Sequence, residues 1–148
     1  MEIERKFLVK KLPENLEEYE KKHISQGYLC TNPVVRIRRS NEEYFLTYKG
    51  RGKMVREEYE FPLTAEAYEH MLPKIDGLLI DKIRYLIPLD KKHTAELDIF
   101  QGQLSPLRLI EVEFESEEDA NSFEAPEWFG DDVTNSKDYH NSNLSQRG

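Results

Sequence analysis

Charged side chains recur two residues apart along a series of short segments, and neighbours within a segment are mostly of one sign. Glu2 and Glu4 stand together, followed by Lys6. Arg36 pairs with Arg38, and Lys82 with Arg84. Glu96 stands beside Asp98, and Glu111 beside Glu113 and Glu115. Lys49 is isolated, and Arg56 precedes Glu58 and Glu60. Arginine carries a forked donor that matches phosphate oxygens, and lysine a compact positive charge. Carboxylates offer hard oxygen ligands to Mg2+, Mn2+ or Ca2+. A polyphosphate chelated to a divalent metal needs both kinds of group at once.

The elements that must position these residues read as strands. In a strand, residues i and i+2 share a face, about 7 Å apart. The charged residues fall on one face, and the opposite face is largely apolar, as in Ile83/Tyr85/Ile87, Ala95/Leu97/Ile99 and Ile110/Val112/Phe114. For any single strand the ordinary reading is a half-solvated sheet with its charges in water, where surface pairs contribute little. The set argues otherwise. Two like charges ~7 Å apart repel by about 0.6 kcal/mol in water and by ~2–3 kcal/mol at an effective dielectric near that of a protein surface. A face shaped only for solvent gains by mixing signs along and across strands. A bound counter-ligand is the simpler account.

Strand patterns cover Glu2–Val9, two short runs within Gln26–Arg39 divided at Asn32-Pro33, Glu43–Lys49, Met54–Leu63, Leu79–Leu89, Thr94–Phe100 and Leu107–Glu115. Helical spacing is expected over Leu12–His23, from Leu16, Tyr19 and His23. A second helix follows an N-cap at Thr64 and reaches about Ile75, and a third, short one follows Ser116 through Phe123. From Ala125 the chain reads as polar and turn-rich, with Ser136 capping a last helical turn through Leu144. The expectation is an α+β protein built on a mostly antiparallel sheet or barrel, as one domain over 1–148.

The composition narrows the classes. With 29 acidic and 21 basic residues the net charge is -8, which disfavours general nucleic-acid binding. Cys30 is the single cysteine, so neither an intrachain disulfide nor a thiolate zinc site is available. The first residues lack the apolar stretch of a signal peptide, and no run approaches a membrane span. A soluble cytoplasmic protein is the expectation, without nucleic-acid or membrane partners, as a monomer or homodimer. The four histidines have no metal-ligand spacing. Gly50-Arg51-Gly52-Lys53 lacks the pattern of a phosphate loop and reads as a hairpin turn. Tyr139-His140-Asn141 reads as a segment that docks the C-terminus, the alternative being that it approaches the mouth of a barrel formed by the charged strands.

In order along the chain, the motifs resemble the CYTH, or triphosphate tunnel metalloenzyme, family. Glu2-Ile3-Glu4-Arg5-Lys6 resembles its E-x-E-x-K opening, and Arg36-Ile37-Arg38 its R-x-R strand. Arg56 to Glu60 is similar to R-x-E-x-E, Lys82-Ile83-Arg84 to K-x-R, Glu96 to Gly102 to E-x-D-x-F-x-G, and Glu111-Val112-Glu113 to the late E-x-E. Two features depart from the pattern: Ser105-Pro106 replaces a glycine-containing turn, and Thr94-Ala95 stands where the family has a tryptophan. The resemblance implies a closed tunnel of eight antiparallel strands with a charged interior, flanked by a few short helices. It implies hydrolysis of the terminal phosphate of a triphosphate, most simply inorganic tripolyphosphate, with Mg2+ or Mn2+. Glu2, Glu4 and Glu113, with Glu111 close by, would face the metal. Lys6, Arg36, Arg38, Lys49, Lys82 and Arg84 would grip phosphates. Glu58, Glu60, Glu96 and Asp98 would serve catalysis by positioning a second metal or the attacking water. A class IV-type adenylate cyclase, a thiamine triphosphatase and a non-catalytic polyphosphate-binding module are the alternatives. Charge reversal at one strand tests the inward assignment. Arg38→Glu should abolish triphosphate binding in calorimetry, and its thermal melt should show an intact fold, since repulsion from Arg36 is relieved. Normal binding would put that strand's charged face outside.

Overall fold

The structure is a computed structural model that describes residues 1–52 and 54–146. Lys53 of the expected hairpin turn, and residues 147 and 148 of the expected domain, lie outside the described residues. The strands are β1 (Glu2–Val9), β2 (Glu20–Thr31), β3 (Val34–Ser40), β4 (Glu43–Lys49), β5 (Val55–Arg56), β6 (Glu58–Leu63), β7 (Asp76–Pro88), β8 (Thr94–Phe100), β9 (Arg108–Glu113) and β10 (Phe129–Asp132). Among the described residues three short helices accompany them, α1 (Ala65–Met71), α2 (Glu117–Ser122) and α3 (Asn141–Leu144). Thr64 and Ser116 cap α1 and α2 as their sequence positions predict, each accepting a backbone N–H three residues on.

All strand pairs are antiparallel, in the order β10-β1-β9-β8-β7-β2-β3-β4-β6, with β5 pairing β1 off this path. Glu2 lies opposite Arg56 and Ile3 opposite Val55. The Glu4 N–H donates to the Met54 carbonyl at 3.1 Å. Only Glu57 separates β5 from β6, so these contacts draw the two ends of the sheet together into a nearly closed barrel. Its path holds nine strands rather than eight. The extra one, β10, lies in the stretch read as turn-rich and pairs the far half of β1, beyond the part β5 occupies.

A second correction concerns Leu12–His23. That stretch holds only a 3-10 turn at Leu16–Glu18, and from Glu20 the chain is strand β2. Pairing to β7 on one side and β3 on the other satisfies the β2 backbone, and this outweighs a weak local helical spacing. Ser136 also makes no side-chain cap to the turn that follows it.

Strand alternation divides the core. Outward-facing Phe7, Ile87, Ala95, Leu97, Ile110 and Val112 form one apolar cluster, which α2 covers through Ala120 and β10 through Phe129. Arg5, which shares that outward face, donates to the carbonyls of Ala120 and Phe123 and to Asp132. A second cluster, Tyr28, Val34, Ile80, Phe100, Leu109 and Leu144, has Leu8 packed against it. These strand residues share the inward parity of the charges. The inward faces of β1, β8 and β9 thus run from charged to apolar, through Leu8, Phe100 and Leu109, and Leu144 of α3, fully buried, packs on that apolar end. Burying that leucine contributes roughly 1.5–3 kcal/mol. No helix among the described residues is long and apolar enough to cross a membrane.

One ionic clamp ties α2 to the barrel. His93 Nδ1 is 3.0 Å from Asp90 Oδ2 in the β7–β8 turn, and Nε2 is 3.0 Å from Asp119 Oδ2 of α2. Phe114 and Phe123 meet the ring edge-on, and Lys92 stands 3.7 Å from Asp119. The bond to Asp90 raises the His93 pKa above its ordinary 6.5 against opposing desolvation, and the bond to Asp119 adds to it. A raised folded pKa gives stability that is complete below the unfolded value and is lost as pH rises through the folded one. Urea midpoints should therefore show a wild-type advantage over His93→Gln that is largest near pH 6 and shrinks in alkali. An advantage constant from pH 5 to 9 would show that the imidazolium contributes nothing.

Candidate active site

The inward charges converge on a cavity of about 270 Å3. Period-two alternation carries Glu2, Glu4 and Lys6 of β1 into it, and β9 presents Glu111 and Glu113 alongside, with Glu4 opposite Glu113 and Lys6 opposite Glu111. Arg36 and Arg38 of β3, Lys49 of β4, Arg84 of β7 and Glu96 of β8 complete the wall with Arg56, Glu58 and Glu60. Lys82 and Asp98 do not reach the cavity surface. They are 0% and 1% exposed, behind the wall.

Three of the four carboxylates expected at a metal gather. Oxygens of Glu2, Glu4 and Glu113 lie within 4.8 Å of one another. Desolvation, then the Glu111 charge, pushes Glu4 up to about 8. Desolvation, then Glu96 and Glu2, raises Glu113 to about 7. Glu2 is raised by burial despite the Lys49 ammonium 2.9 Å away. Crowded acids that resist ionisation are what a divalent cation would relieve, and an all-oxygen donor set suits a hard cation. The residues therefore fit a metal.

Glu111, the fourth, belongs with the cations. It lies 3.4 Å from Lys6 Nζ and 3.6 Å from Arg84. Desolvation alone would raise its pKa, but Lys6, Arg84 and Lys82 hold it well below the carboxylate range. Arg84 forks onto Asp98 at 2.7 and 2.9 Å and reaches Glu96 at 3.3 Å. Burial opposes the charge on both partners, and the pair overcomes it, lowering Asp98 and raising Arg84. Lys82 is 2.8 Å from the same Asp98. Burial, with Arg84 adding repulsion, brings it down to about 7. Arg84 already claims the carboxylate, so Lys82 is the member that gives up its proton first.

Several lining residues escaped the sequence reading. Lys22, Ile24 and Tyr28 of β2 line the cavity, and Gln26 stands fully buried on the same face. Their alternation was the available signal, masked by the helical spacing before His23. His140 and Asn141, whose approach to the barrel mouth was the alternative to docking, line the cavity together with Ser142, and Lys6 donates to the Tyr139 carbonyl at 2.9 Å. The C-terminal segment therefore both docks and forms part of the site.

A barrel that opposes a carboxylate triad to a wall of cations is the architecture of a protein for metal-chelated oligo-anions. The chain matches the CYTH domain over residues 1–146 and belongs to that family. It is 42% identical over 147 residues to an inorganic triphosphatase of Nitrosomonas europaea, covering 97% of this chain and 96% of the relative. An inorganic triphosphatase of Acetivibrio thermocellus is 33% identical over 152 residues, covering 97% and 92%. A crystal structure of an inorganic triphosphatase superposes with a TM-score of 0.72 at 40% identity, covering 98% of this chain and 94% of that one.

The raised acids make the metal-free protein sensitive to alkali. Glu4 at about 8 and Glu113 at about 7 both lie above the ordinary 4.5. Their contribution to stability is complete below about pH 4.5 and is lost as pH rises through 7 and 8. In EDTA the melting temperature should fall over that window, and Mg2+ or Mn2+ should restore it. Glu4→Gln should flatten the fall and weaken the restoration. A Glu4→Gln protein with the wild-type pH profile and metal response would place Glu4 outside the metal set.

Proposed function

We propose that this chain hydrolyses the terminal phosphate of inorganic tripolyphosphate in a divalent-metal-dependent reaction, releasing pyrophosphate and phosphate. One arrangement carries the reading. The Glu2, Glu4 and Glu113 triad stands on β1 and β9 in a cavity that Lys6, Arg36, Arg38, Lys49 and Arg84 also line. Binding an anion alone needs no such triad. The activity named for the two relatives supports the same substrate.

Mg2+ or Mn2+ is the proposed occupant of the triad, where it would supply Lewis-acid neutralisation of charge on the phosphate oxygens. Arg36 and Arg38 would hold those oxygens through guanidinium donors, Arg84 through the N–H groups its fork to Asp98 leaves over, and Lys6 and Lys49 through point charges. Water would attack in line, and Glu58, Glu60 and Glu96 are the proposed acceptors of its proton, since all three line the cavity. Asp98 and Lys82, behind the wall, are proposed as positioning residues. The fork from Arg84 to Asp98 fixes the guanidinium that faces substrate. Glu111 is proposed to orient Lys6 and Arg84 rather than to ligate metal.

The deciding experiment measures phosphate release from tripolyphosphate, ATP and thiamine triphosphate, each with Mg2+ or Mn2+, with cyclic AMP assayed alongside. Tripolyphosphate should give the highest kcat/KM, and EDTA should abolish it. Preference for thiamine triphosphate, or cyclic AMP from ATP, would overturn the substrate. No release from any of the three would overturn the activity.

A further inference from the structure

The six cations expected to grip phosphate are held in two different ways. Lys6 pairs with Glu111 at 3.4 Å, Lys49 with Glu2 at 2.9 Å, Lys82 with Asp98 at 2.8 Å and Arg84 with Asp98 at 2.7 Å. The two β3 arginines differ. Arg38 Nε donates to Gln26 Oε1 at 2.7 Å, and Arg36 donates to Thr47 Oγ1 at 3.2 Å. Among the described residues neither arginine forms an ion pair with a carboxylate, and the buried Arg36 Nε has no hydrogen-bond partner.

Gln26 and Thr47 are placed for this task. In register, Gln26 of β2 lies opposite Arg38, and Thr47 of β4 lies opposite Arg36. Both side chains are 0% exposed. The Gln26 amide nitrogen donates to the Tyr28 hydroxyl at 3.4 Å, which turns the amide oxygen towards Arg38. A carboxylate at either position would form a charge-assisted bond and cancel the charge it held. A neutral acceptor fixes the guanidinium and spares its charge.

We infer that Gln26 and Thr47 are positioning residues that anchor Arg38 and Arg36 through neutral acceptors, leaving that pair as the uncompensated positive subsite for substrate phosphate. This rests on the proposed tripolyphosphate substrate and assigns its tightest anion contacts to β3. The unpaired charge has a cost in the empty barrel. Burial, then repulsion from Arg36 and Arg84, brings Arg38 down to about 10. Stability and binding should therefore oppose each other at position 26.

Gln26→Glu is nearly isosteric and tests this. In EDTA its melting temperature should rise above wild type. Its calorimetric affinity for tripolyphosphate should fall about tenfold or more, with KM rising in step and kcat changing little. Gln26→Met, which removes the acceptor without adding charge, should lower the melting temperature and also raise KM. A purely structural glutamine predicts a lower melting temperature for Gln26→Glu and an unchanged KM and affinity, and that result would overturn the inference. So would wild type that fails to bind tripolyphosphate. Wild type that binds tripolyphosphate without cleaving it would overturn the proposed activity alone, because the melting and affinity shifts would still decide the role of Gln26.

Discussion

Turning ionic side chains inward is the constraint on which the rest of this barrel depends. A charge withdrawn from water costs several kcal/mol unless a counter-charge or a ligand meets it. Strand alternation delivers acids and cations to one enclosed face, so each must find a partner across a strand boundary. The strongest answer is the Asp98–Arg84 fork, with Glu111 held between Lys6 and Arg84. The same alternation turns Phe7, Ile87, Ala95, Leu97, Ile110 and Val112 outward. That makes α2 and β10 necessary, because Ala120 and Phe129 cover the outer cluster.

The charges left short of a counter-charge define the chemistry. Glu2, which also meets Lys49 at 2.9 Å, crowds against Glu4 and Glu113, and all three resist ionisation, a strain that a bound divalent cation would relieve. Arg36 and Arg38 are oriented by neutral groups and carry spare positive charge that an anion would meet. Both deficits open on one cavity. A metal-bound polyphosphate answers them together, and either component alone would answer only one. The apolar end of the barrel, with Leu144 packed on it, adds low-dielectric surroundings in which such interactions are stronger.

Much of the site was legible because strands impose a period of two on charge. The fourteen candidate residues all came to the inward side, as the i, i+2 spacing required. What escaped were residues whose role depends on a neighbour across the sheet. Gln26 and Thr47 are neutral, and nothing local distinguishes a buried acceptor from a surface polar group until register sets each beside its arginine. Strand β2 was half hidden by a helical spacing that its pairing on both edges overrode. Strand β10 lay in a polar stretch with little periodicity, and pairing to the free part of β1 made it a strand.

The sequence by itself determined which side chains share a face, the order of the charged strands and the family, because these follow from spacing and residue type. Tertiary structure alone decided which charges neutralise one another. Glu111 and Glu113 share one strand face, yet register sets Glu111 opposite Lys6 and Glu113 opposite Glu4. One carboxylate is thereby spent on cations and the other joins the metal-ready triad. Partners are fixed by the offset between strands, and no local pattern in the chain encodes that offset.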